Sequence, residues 1–134
     1  MSKQTVDALE EALQDEYKAS AICTKVIETF GAVRPFVNIV EAEGRHVQAL
    51  LRQYERLGEV APDDDWEGYI EASSSVAHGC EETGAAEIEN GEMYDRLLPP
   101  VDDQAVYEVS TNLQDASQKR HLPAFRRCLE RSMR

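Results

Sequence analysis

Clusters of proline and glycine cut this chain at three places, and the stretches between them are long. The breaks are Gly31 to Pro35, Gly58 to Gly68, and Pro99-Pro100 with Asp102-Asp103 behind them. No β-branched alternation bounded by Asn-Gly or Asp-Gly marks a hairpin anywhere. The spacing predicts four helices, over about 5–30, 35–57, 73–98 and 103–131. Thr5 and Asp103 are the expected N-caps, and Gly31 and Gly58 the residues just past helix ends. A helix of about 25 residues is about 38 Å long, so four of them make a bundle. The 134 residues, 42% of them hydrophobic, suffice for one packed domain, 1–134, and not for two.

Each helix carries an apolar stripe at steps of three and four, and each stripe is interrupted near its middle. The first runs from Val6 through Leu9 and Leu13 to Glu16, then on through Cys23 to Phe30. The second runs from Phe36 and Ile39 to Glu43 and His46, then to Leu50 and Tyr54. The third holds Glu87 between Cys80 and Tyr94. The fourth holds His121 between Leu113 and Cys128. Residues so spaced share the face that turns to the core.

A carboxylate buried without a counter-charge costs several kcal/mol. No Lys or Arg lies on these stripes, and Arg120 is the nearest, about 100° round its helix from His121. Cations bound between the helices would resolve the cost. Glu43 and His46, three apart on one face, can hold one metal together. Carboxylate and imidazole donors suit iron, manganese or zinc. The competing reading is a hydrogen-bonded polar network with no metal, or residues facing water. The arrangement repeats: His46 follows Glu16 by 30 residues, and His121 follows Glu87 by 34. Two hairpins, each offering Glu and His, is the plan of the di-iron carboxylate bundles.

The segments ALQDEYKA, IVEAEGRH, AAEIENGEMYDRLL and NLQDASQKRHLPAFRRC resemble the ferritin-like superfamily, and within it an uncharacterised bacterial and archaeal branch with an HLPAF-type motif. The resemblance spans about residues 6 to 130. It implies an all-α, ferritin-like antiparallel four-helix bundle with a long crossover between helices 2 and 3. It also implies metal ligands at Glu16, Glu43, His46, Glu87 and His121, with one or two iron ions bound, manganese or zinc being the other metals of that chemistry. Many members of the superfamily react ferrous iron with dioxygen or peroxide, so the implied activity is that of a non-haem iron or manganese oxidoreductase. One position departs. The second Glu-x-x-His would need Glu three before His121, and the chain has Gln118, with Ser117 no carboxylate either. Three carboxylates offset only part of the charge of two divalent ions. The alternative is a non-enzymatic helical interaction protein with a degenerate site. The chain has no C-x-x-C pair of the rubredoxin kind and little length beyond the four helices for cage packing.

Other features narrow the expectation. A formal charge of −12, from 14 basic and 26 acidic residues, argues against nucleic acid and anionic membrane surfaces as partners. No apolar run reaches the roughly 20 residues of a spanning helix. The N-terminal MSKQTVDALEEAL lacks the plan of a secretion signal. Three cysteines without C-x-x-C read as free thiols in a reducing, cytoplasmic setting. Cys23, Cys80 and Cys128 each stand seven residues from an expected ligand, and a long crossover would bring all three to one side of the ligand layer. Glu89 is the alternative to Glu87 as ligand. Glu41 is expected in solvent. His78 is expected on the surface and Tyr94 in the core, with Tyr17 near the site. Pro123 should bend the fourth helix just after His121, because Lys119 loses its helical partner. Asp63-Asp64-Asp65 reads as a solvated linker leading to a short turn at Trp66. A homodimer through an exposed helix face fits either function.

Overall fold

A computed structural model describes residues 2–133. Among them there are helices and no strands. Helix α1 spans Lys3–Phe30, α2 Phe36–Leu57, α3 Val76–Leu97, α4 Gln104–Ala116 and α5 Leu122–Ser132. A π-helical turn, Ser117–His121, joins α4 to α5 without a break, so these three segments form the fourth rod.

The ends follow local chemistry. Asp103 caps α4, its carboxylate accepting from the Val106 N–H at 3.0 Å. Gly58 ends α2 in the left-handed region at φ 68°, where a side chain would be strained. The cap of α1 differs from expectation: Ser2, not Thr5, accepts from the Thr5 N–H at 3.1 Å. Thr5 lies inside the first turn, fully buried. Its hydroxyl donates to Asp102 at 2.7 Å and ties the helix start to the α3–α4 loop.

Two apolar cores show how the rods run. One joins Leu9 and Leu13 of α1, Leu50 and Tyr54 of α2, Tyr94 and Leu98 at the end of α3, and Val106 and Leu113 of α4. The other joins Cys23 and Val26 of α1, Phe36 and Ile39 of α2, Cys80 of α3, and Phe125 and Cys128 of α5. Hence α1 and the fourth rod run one way, and α2 and α3 the other. Two consecutive parallel helices need a connection as long as the bundle. Residues 58–75 supply it along α1: the Tyr17 hydroxyl donates to the Pro62 carbonyl at 3.2 Å and Trp66 Nε1 to Gln14 at 2.9 Å. The expected turn is present as Glu67–Tyr69, with Asp64 accepting from the Trp66 N–H.

The fourth rod is distorted where Pro123 predicts, but one turn earlier. The N–H of Leu122 bonds to the Ser117 carbonyl, five residues back, which widens the backbone just before the proline. Ser117 and His121, four apart, are both buried and face the same cavity.

The cysteines correct an expectation. They are not three free thiols: Cys80 and Cys128 form a disulfide between α3 and α5, with Cα atoms 6.1 Å apart, and Cys23 is free and buried. All three lie in the same core, as a long crossover requires. An odd count concealed a pair because the partners stand 48 residues apart.

Candidate metal centre

Between the two apolar cores lies a polar layer. Glu16, Glu43, His46, Glu87 and His121 all line one cavity of about 30 Å³, room for about two water-sized guests. Glu16, Glu43, Glu87 and His121 are buried, and the His46 side chain is only 13% exposed. Glu89 is exposed and touches only the cavity wall, so Glu87 is the inward residue of that pair.

The five side chains are arranged as two like pairs. His46 Nδ1 of α2 faces Glu16 Oε2 of α1 at 3.4 Å. His121 Nδ1 of the π turn faces Glu87 Oε1 of α3 at 3.3 Å. The two imidazoles stack with centroids 5.4 Å apart and planes inclined by 17°. Glu43 stands between the pairs and accepts from the Cys23 thiol at 3.3 Å. Ser117 donates its hydroxyl to Glu87 Oε2.

The electrostatics follow from burial. Glu43 is pushed well above the ordinary carboxylate range, first by desolvation and then by the charges of Glu16 and Glu87. Glu16 is also raised by burial, with His46 opposing. Burial and Glu43 push the Cys23 thiol up, in keeping with its hydrogen bond to Glu43. Tyr94 is wholly buried near the layer and raised by burial, then by Glu16, and its hydroxyl has no partner. Among the described residues, no Lys or Arg forms an ion pair with Glu16, Glu43 or Glu87.

The donor set fits a hard or borderline divalent ion. Two ligands each about 2.1 Å from one ion, at right-angled to tetrahedral geometry, stand roughly 3.0–3.4 Å apart, the range of both Glu–His separations. As the side chains stand, no three His, Cys, Asp or Glu among the described residues converge as a formed metal group. Each Glu–His pair brings two donor atoms together, with Glu43 turned to Cys23.

Gln118, which the sequence places at the missing carboxylate, does not line the cavity. Its amide donates to the Glu87 carbonyl and lies against Gly91 of α3. A Cβ at Gly91 would come within 2.6 Å of Gln118 Cδ, so any larger residue there would make the Gln118 side chain swing aside. Ser117, four residues before His121, takes the inward place. Asp15, Lys18 and Asn90 also line the cavity, and sequence reasoning missed them. For Asn90 a signal existed: it follows Glu87 by three residues on the same face. His78 is on the surface, paired with Ser74 and Glu82, and the Tyr17 hydroxyl turns away to the crossover.

No known family model matches the chain, and no curated protein matches it. Among solved structures it is similar to the hypothetical protein MJ0754 from Methanococcus jannaschii. The two share 18% sequence identity and a TM-score of 0.88, over 99% of this chain and 83% of the other. At that identity the likeness is one of fold. No helix among the described residues is long and apolar enough to cross a membrane.

Proposed function

We propose that this chain is a ferritin-like metal-binding protein whose Glu16, Glu43, His46, Glu87 and His121 hold one or two iron or manganese ions. One observation carries the reading: two Glu–His pairs from separate hairpins meet across stacked imidazoles, beside a third buried carboxylate that no Lys or Arg neutralises. Helix directions and the long crossover support the ferritin-like assignment. Bound iron or manganese would supply one-electron chemistry toward dioxygen, peroxide or ferrous iron. The protein's share is to hold that ion in a cavity for small reactants only. With Ser117 inward and Gln118 turned away, three carboxylates set their charge against two divalent ions, which favours one tight ion over two.

The test is metal analysis of protein purified without added metal, beside His46→Ala. Iron or manganese near one per chain, lost in the variant, is expected. A metal-free chain that neither ion stabilises against heat would overturn the assignment.

A second reading is favoured by the hydrogen bonds from Cys23 to Glu43 and from Ser117 to Glu87. They satisfy part of the layer without any ion, as in a helical interaction protein that keeps the polar core alone. Thermal stability indifferent to chelator distinguishes it.

A further inference from the structure

The buried cavity does not end at the five side chains. Its wall continues to Asp15, Lys18, Glu89 and Asn90, at the seam between α1 and α3. A surface cleft of about 340 Å³ shares three of these, Asp15, Lys18 and Glu89. Two cavities with three common walls are neighbours, and this group lies between them.

Its chemistry is that of a cation site. Asn90 is 6% exposed, and its Oδ1 is buried with no hydrogen-bond partner. Its amide nitrogen is already committed, donating to Asp15 Oδ2 at 2.6 Å across the seam. That contact fixes the amide so that the oxygen is the free end. A buried carbonyl oxygen without a donor is costly unless a cation or water meets it. Among the described residues, neither basic residue of the cleft forms an ion pair with Asp15 or Glu89. Lys18 Nζ sits over the Trp66 ring, 5.7 Å from its centroid, and Arg96 is bound to Glu11.

The geometry points to an outer divalent-cation site formed by Asp15, Glu89 and the Asn90 carbonyl oxygen, through which an ion passes to the buried layer. Oxygen donors alone, two of them carboxylates, suit Mn²⁺, Fe²⁺ or Mg²⁺ that keep several waters. Such a site is weak, as a transit point must be. The passage inward rests on the metal-binding reading above; the outer site stands without it.

The experiment uses Mn²⁺ as the probe, with free Mn²⁺ read by electron paramagnetic resonance. The background is Glu43→Gln/His46→Gln, which removes two of the five inner ligands with little change in volume and cripples the inner site, its fold checked by helicity. There the outer site is expected to bind one Mn²⁺ weakly, and adding Asp15→Asn/Glu89→Gln should weaken that at least tenfold. In the otherwise native chain the Asp15→Asn/Glu89→Gln pair should slow Mn²⁺ uptake into the inner layer by about tenfold while leaving the final occupancy of that layer unchanged. Identical isotherms with and without the outer substitutions would overturn the outer site. Unchanged uptake rates would overturn its role in transit. A native chain that binds only the outer ion would leave the outer site standing and remove the inner one.

Discussion

The imidazoles of His46 and His121 stack at 5.4 Å although they lie 75 residues apart and belong to different hairpins. Each reaches a glutamate of its own hairpin, so the layer is two like halves meeting at the bundle's waist, and Glu43 breaks the likeness. That asymmetry makes Glu43 the most informative residue to change.

Glu43→Gln keeps an oxygen that can accept from Cys23 and removes a buried charge. In chelator-treated protein it should stabilise the fold by about 1–3 kcal/mol, seen as a raised Tm. In protein offered Mn²⁺ it should lower affinity. A variant that loses stability without metal would show that the carboxylate is satisfied as it stands.

The metal-free protein should weaken as pH rises. Glu43 and Glu16 carry folded-state values above the ordinary 4.5. From that value up to the raised one, the folded chain holds protons that the unfolded chain has released. Stability therefore falls with increasing pH across that window and levels off above it. Bound Mn²⁺ should flatten or reverse this slope, because the ion favours the ionised carboxylates. Denaturant titrations at stepped pH, with and without Mn²⁺, check both signs.

The Cys80–Cys128 disulfide closes a loop between α3 and α5. Removing it by Cys80→Ala/Cys128→Ala should cost about 2–4 kcal/mol, or roughly 10 °C in Tm. Cys23, 1% exposed, should resist alkylation in the native protein and react fully in denaturant. Rapid labelling of Cys80 or Cys128 without reductant would refute the pairing.

Gly91→Ala drives a Cβ into Gln118 and displaces the amide from the Glu87 carbonyl. Alanine gains about 1 kcal/mol of helix propensity there, so the single variant should be near neutral. With Gln118→Ala also present, the clash is gone and the propensity gain should appear. A double-mutant cycle in Tm with clear non-additivity is expected.

Much of this was legible before any coordinates. Helix spans were, because breakers and apolar periodicity are local. So were the five polar interruptions, because each sits in register on its own stripe, and the preference for Glu87 over Glu89, because only the first shares the apolar face. Nearest-neighbour chemistry also marked the turn after Trp66, whereas the π turn at Ser117–His121 lies before the place where Pro123 leads one to expect a bend.

The rest depended on distance along the chain. Which imidazole stacks on which, the bond between cysteines 48 residues apart, and the thiol that meets Glu43 are set only when the rods dock. Steps of four from Leu113 already put Ser117 on the inward stripe, but that its hydroxyl meets Glu87 while Gln118 turns to the Glu87 carbonyl and Gly91 is decided only by docking against α3. Periodicity determines which face of each helix is buried. The identity of the groups that meet there is settled by packing, where side chains remote in sequence compete for one small volume.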